Sequence, residues 1–275
     1  EDITQQLLDQ RRAAWSDVAR RIAHEIKNPL TPIQLAAERL QRRFGDKVEG
    51  DQATFRRLTD TVIRQVHDMR RMVDEFSSFA RMPKPTFGVE DVRDILRQAV
   101  FLFEVAKPDI VFSISMADEI EPLVCDRRLL SQALTNIVKN AVEAIEEKSK
   151  NSSSAPIGHI HAELDLRLGG EMIIRVSDDG IGLPEAREAI AEPYMTTRQG
   201  GTGLGLAIVK KIVEQHYGEL DFADNPAGQG TSVTLTLHPD RLRPLVGQGQ
   251  DMTTGQMESV PGRIRNRQDR EDYGA

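Results

Sequence analysis

A single cysteine, Cys125, is all the thiol chemistry that 275 residues carry. No intrachain disulfide and no cysteine metal cluster can form, which fits a reducing compartment. The residue is expected to serve as a small apolar side chain near a strand end. Long hydrophobic runs are also missing: nothing approaches the roughly 20 apolar residues that span a bilayer. The start, Glu1-Asp2-Ile3-Thr4, lacks the basic and apolar regions of a signal peptide. A chain soluble as given is therefore expected. With no initiating Met, it is expected to be a piece of a longer protein, any sensor or membrane anchor lying upstream. Excess positive charge is absent too. The net charge of -7 argues against a broad electrostatic footprint for nucleic acid, so direct DNA binding is not expected.

What is present is an ordinary globular composition, 39% hydrophobic and 29% charged, long enough for about two domains. Residues 4–44 contain few helix breakers. Their apolar positions Leu8, Trp15, Val18, Ile22, Ile26, Ile33, Ala37, Leu40 and Phe44 are separated by threes, fours and sevens, which predicts one long amphipathic helix. Pro29 and Pro32 lie inside it and predict a kink just after His24. A glycine-bounded turn at residues 45–51 precedes a second stripe, Phe55, Leu58, Val62, Val66, Met69, Val73, Phe76 and Phe79, which Pro83 and Pro85 end. Two helices that cannot bury such a stripe alone predict pairing with a second copy into a four-helix bundle.

Beyond Pro85 the pattern becomes mixed. Helices are predicted near residues 91–104, 129–147 and 204–216, and strands at 110–115, 159–168, 172–177, 220–223 and 231–237. The fold expected is an α/β sandwich, one mixed sheet with helices on a face. Residues 150–156 read as a surface loop within that domain, and 241–275 as a disordered tail.

Four constellations carry chemistry. In His24-Glu25-Ile26-Lys27-Asn28-Pro29, His24 and Asn28 share a helix face with Glu25 adjacent. A lone helical histidine is more often solvated or structural. Neutral imidazole is nonetheless a good phosphoryl acceptor, a neighbouring carboxylate can take its proton, and a carboxamide can orient water. In Asn136-Ile137-Val138-Lys139-Asn140, two poor helix formers stand one turn apart in an apolar helix. They suit Mg²⁺ with ATP phosphates, or else a buried polar network. Asp178-Asp179-Gly180-Ile181-Gly182 follows a predicted strand, where a carboxylate can accept from an adenine amino group. Gly200-Gly201-Thr202-Gly203-Leu204-Gly205-Leu206 runs into a helix whose first amides can cradle phosphate. It matches neither the Walker pattern nor the dinucleotide fingerprint. The stretch 184–199 between the two glycine motifs is a natural lid.

Taken together and in this order, these motifs resemble the H, N, G1, F and G2 boxes of sensor histidine kinases over residues 12–238, with a last glycine turn at 228–231. The run 24–35, with Ala37-Glu38-Arg39-Leu40 after it, resembles the nitrogen-regulation branch of that family. The resemblance implies an α-helical hairpin forming a dimeric four-helix bundle, joined to an α/β sandwich ATP-binding domain of the Bergerat (GHKL) type. The implied division is a linker helix from a missing upstream sensor at 1–11, a dimerisation and phosphotransfer domain at 12–83, a catalytic ATP-binding domain at 84–240 and the tail at 241–275.

The resemblance further implies that His24 is the phosphoacceptor, Glu25 its base and Asn28 the residue orienting water for phosphatase action. Asn140 would be the principal Mg²⁺ ligand, aided by Asn136, with Lys139 near the phosphates. Asp178 would read adenine, Gly180 and Gly182 would shape its pocket, and Gly201, Gly203 and Gly205 would frame the phosphates. Thr196, Thr197, Thr202, Leu204, Leu206 and Thr231 complete the implied ATP-binding set. Met195 stands where many relatives carry Phe. The cofactors implied are ATP and Mg²⁺, and the partners a second copy and the receiver domain of an NtrX-like response regulator. The whole protein would be anchored in the bacterial inner membrane, with this part cytoplasmic. Two other readings compete: a GHKL-type ATPase that couples hydrolysis to conformational change, and a dimeric pseudokinase scaffold.

Overall fold

The computed structural model describes residues 3–48, 50–80, 82–150, 157–184, 190–192 and 203–246. Helix α1, Ile3–Phe44, and helix α2, Gln52–Ala80, form an antiparallel hairpin. Crossing contacts fix its register: Gln41 Nε2 donates to Asp60 at 2.6 Å, Arg70 donates to Gln34 at 3.2 Å and to Thr31 at 3.3 Å, and Lys27 pairs with Asp74. At the turn, Gln52 Nε2 donates to the Gly45 carbonyl and Arg56 binds Asp46. The kink expected after His24 does not interrupt α1, which stays helical through Pro29 and Pro32. Both prolines are exposed, so water can take up the carbonyls they leave without an amide partner.

Only part of the predicted apolar stripe, Ala37, Val66 and Val73, lies between the two helices. What is buried there is mainly small: Ala19, Ala23, Ala37, Val66 and Val73, with Leu30. Val18, Ile22, Ile26, Ile33, Leu40 and Phe44 of α1 are instead 36–46% exposed, and Leu58, Val62 and Met69 of α2 42–59%. A small-residue seam lets the helices approach closely and turns the large side chains outward.

The rest of the described chain builds a second unit. Strand β1, Gly88–Glu90, pairs antiparallel with β3, Leu123–Cys125, in a two-stranded sheet. Helix α3, Val92–Ala106, is capped by the Asp91 carboxylate, which accepts from the Arg93 amide at 2.9 Å. The main sheet holds β2 (Ile110–Met116), β4 (Gly158–Leu166), β5 (Met172–Asp178), β7 (Thr231–Leu237) and β6 (Glu219–Asp224), in the order β2-β4-β5-β7-β6. Only β2 and β4 run parallel. With α3, helices α4 (Arg127–Lys150) and α5 (Gly205–Gln215) bring Ile95, Leu96, Leu134, Ile137, Val209 and Ile212 against Ile160, Leu164, Ile174 and Leu235.

Two expectations change. The single sheet becomes two, because β1 and β3 are three-residue strands too short to show a period. Packing also continues past residue 241. Helix α6, Pro239–Leu242, and a 3₁₀ turn, Arg243–Leu245, follow β7, with Leu242 fully buried. Cys125 ends β3, fully buried, and burial pushes its thiol up to about 12.

One buried polar junction locks this unit to the chain that enters it. His216 is 0% exposed, and its Nε2 accepts the Asp126 amide at 3.0 Å while Nδ1 faces the Ile212 carbonyl at 2.8 Å. That arrangement assigns the proton to Nδ1 of a neutral ring. Asp126 in turn accepts the amides of Leu129 and Thr86, capping α4 and holding the incoming strand.

Candidate active site

Asp178 closes β5, the middle strand of the main sheet, and is 4% exposed. Its Oδ1 accepts the Gly180 amide at 2.8 Å and the Thr231 amide at 3.4 Å, so one carboxylate oxygen fastens the turn after β5 to the start of β7. Close approach explains the glycines. A Cβ on Gly230, whose φ is +130°, would stand 1.9 Å from the Asp178 carbonyl oxygen, and one on Gly180 would meet the Ala144 methyl at 2.6 Å. Gly182 faces Gly230 from the other glycine turn. Thr231 is nearly buried beside them.

Helices α4 and α5 meet at Gly205. Asn136 Nδ2 donates to the Gly205 carbonyl at 3.4 Å, and Asn140 Oδ1 lies 3.9 Å from where a Gly205 Cβ would stand. Leu204 just before it is 1% exposed and anchors the loop in the core, so its side chain serves the fold, while Leu206 packs partly buried against that core. Gly203 precedes this anchor. Two half-buried carboxamides thus face the start of a helix whose first amides lack intrahelical acceptors, an arrangement suited to phosphate. The set also fits Mg²⁺, an oxygen-seeking ion that keeps waters and takes phosphate ligands. Asn140 and Asn136 would hold it there, and it would neutralise charge on the nucleotide phosphates.

Lys139 points elsewhere: its ammonium is shared between Glu75 of α2 at 3.7 Å and Glu143 at 3.8 Å. His24, Glu25 and Asn28 all stand exposed on α1, His24 in a groove rather than at the Asp178 site. Thr196, Thr197, Gly201, Thr202 and Met195, with most of the expected lid, lie outside the described residues.

Sequence reasoning missed two supports. Asn225 Nδ2 donates to the Asp178 carbonyl at 2.8 Å, while its own Oδ1 accepts the Ala227 amide at 2.9 Å. The Asn-Pro dipeptide at 225–226 was the available signal. Lys148 of α4 donates to the Asp179 carbonyl, and the Asp179 carboxylate accepts the His159 amide at 2.9 Å, tying α4 and β4 to the same corner.

An exposed histidine on a helical hairpin, beside a sheet domain whose middle strand ends in a buried aspartate ringed by glycines, defines a two-domain phosphotransferase core. Residues 14–85 match the His Kinase A (phospho-acceptor) domain, and residues 125–241 the histidine kinase-, DNA gyrase B- and HSP90-like ATPase family. The chain is 54% identical over 86% of its length to the nitrogen regulation protein NtrY of Azorhizobium caulinodans, and 36% identical over 86% to a putative sensor histidine kinase NtrY-like of Rickettsia bellii. It belongs to the NtrY-like sensor histidine kinases. It spans 30% and 37% of those two relatives.

Among solved structures, full-length ShkA in complex with AMPPNP shares the fold at a TM-score of 0.58 and 24% identity, over 84% of this chain and 49% of that one. Acinetobacter baumannii AdeS does so at 0.51 and 19%, over 79% and 98%. Among the described residues no helix is long and apolar enough to cross a membrane.

Proposed function

We propose that this histidine kinase binds ATP with Mg²⁺ between α4, the end of β5 and the start of α5, and phosphorylates its own His24. Asp178 would read the adenine, Gly180, Gly182 and Thr231 would shape the pocket around it, and Asn136, Asn140 and the glycine-rich approach to α5 would meet the phosphates. An imidazole nitrogen of His24 attacks the γ-phosphorus in line. The bond from that phosphorus to the bridging oxygen of ADP breaks, and Glu25 takes the ring proton. The phosphoryl group then passes to an aspartate of an NtrX-like response regulator in nitrogen-related signalling. Asn28, one turn from His24, would orient water when the kinase dephosphorylates that regulator.

The observation that carries this reading is the joining of the Asn136–Asn140 pair to Gly205, which assembles two distant motifs into one phosphate-facing corner. The exposed stripe of α1 and α2 supports a homodimer, in which two hairpins bury it as a four-helix bundle. We divide the working unit into the hairpin, 12–83, and the ATP domain, 84–240, with residues 1–11 as a linker helix from an upstream sensor. The whole protein would be membrane-anchored through segments outside this chain.

Incubation with γ-labelled ATP tests the central step. The expected product is labelled protein that loses its label in acid and keeps it in alkali. Equal labelling of His24→Gln would refute the assignment, and steady phosphate release without phosphoprotein would favour a GHKL-type ATPase.

A further inference from the structure

The groove that holds His24 is not made by the hairpin alone. It encloses about 460 Å³ between α1, α2 and the N-terminal turns of α4, and its walls include Arg20, His24, Lys27, Asp74, Arg128 and Gln132. Arg128 and Gln132 belong to the ATP domain, yet they lie about two turns and one turn before Asn136, on the N-terminal part of α4 that lines the His24 groove. Three cationic side chains line the groove against the single carboxylate of Asp74, which Lys27 already engages. Arg128 is tethered by Asp126, 3.6 Å from its Nη2, and keeps 64% of its side chain exposed. Asp126 itself is 5% exposed and is occupied by two backbone amides.

Around the His24 ring the groove thus sets three cations against one carboxylate, a net positive lining. A phosphoryl group on that imidazole would bring close to two negative charges and three acceptor oxygens. Arginine suits such a partner, because its planar fork can bind two phosphoryl oxygens at once and its charge is permanent.

We propose that this groove is a binding site for the phosphoryl group of phosphorylated His24, and that Arg128, reaching across from the ATP domain, holds it together with Arg20 and Lys27. The inference rests on His24 being the phosphoacceptor. It assigns the ATP domain a second role: after delivering the phosphoryl group beside the middle of α4, it clasps the product with that helix's first turns. Phosphorylation would then favour the docked arrangement of the two domains.

The test is a ³¹P NMR titration of the phosphorylated chain. Nearby cations favour the dianion, so the apparent phosphoryl pKa in the wild type should fall below that of free phosphohistidine. Arg128→Ala should raise it by about half a unit to one unit, and Arg128→Lys, which keeps charge but loses the fork, should land between. A cooperative thermal melt shows that each variant is folded. An unchanged titration in Arg128→Ala, with phosphohistidine formed, overturns the groove assignment and leaves the phosphoacceptor intact. If no phosphohistidine signal forms in the wild type, or His24→Gln still gives one, the phosphoacceptor reading fails instead.

Discussion

The hairpin and the ATP domain solve the burial problem in opposite ways. The ATP domain closes its own core: Leu96, Leu134, Ile137, Ile174, Val209 and Leu235 are each no more than 1% exposed, on helices and strands of one chain. The hairpin buries mainly small side chains between its helices and leaves ten large apolar side chains from Val18 to Met69 at 36% exposure or more. The first region is a finished domain, and the second is half of one. The difference separates what each lacks: the ATP domain's core is complete within one chain, while the hairpin's large apolar side chains still have no cover among the described residues.

The largest expected effect follows from the finished core. Leu134→Ala removes a side chain packed on all sides, and should destabilise the ATP domain by about 2–5 kcal/mol. Chemical denaturation followed by near-ultraviolet signals should show that loss while the dimer persists at the same protein concentration. Simultaneous dissociation would mean that the two regions are not independent.

The second effect reverses the contrast. Val62 is 42% exposed in a single chain, so Val62→Glu should cost one hairpin little by itself. In a bundle it places a charge in an apolar seam and should weaken association roughly thirtyfold or more, about 2 kcal/mol. Sedimentation should show monomers, with nucleotide affinity kept because, among the described residues, α2 contributes no side chain to the Asp178 corner. A variant that stays dimeric would place the partner face elsewhere.

How much of this was legible in the sequence follows the same division. Helix and strand positions were readable wherever a period had room to repeat; β7 falls at the predicted residues, and α4 extends the prediction by two or three residues at each end. The three-residue strands β1 and β3 gave no period. In the hairpin the stripe, Ala37 included, predicted a bundle, but not that Ala19 and Ala23 would form the seam inside one chain, since an alanine carries little periodic signal. Asp178 and the Asn136–Asn140 pair were legible because polar residues in apolar surroundings stand out. Arg128 did not, because an arginine in the first turn of a charged helix looks like solvated surface. The buried junction of His216 with Asp126 joins residues 90 apart in sequence. Nothing near either residue announces that contact.

That junction yields the smallest effect, and it again sets one region against the other. Burial lowers the His216 pKa from its ordinary 6.5, because a charged imidazolium would be desolvated and would present a proton where Nε2 now accepts the Asp126 amide. The unfolded chain therefore binds more protons than the folded one over a window that begins at about pH 6.5 and extends downward to the folded value. Stability contributed by the neutral ring is fully present above that window and is lost as pH falls through it. The ATP domain, which holds His216 against Phe87, should thus show a melting temperature that drops on acidification. His216→Gln should lower the plateau near neutrality and flatten that dependence, as read from melts of wild type and variant between pH 7.5 and about pH 5. An equal slope in the two proteins would assign the pH response to other groups and leave His216 only its hydrogen bonds and packing in the core.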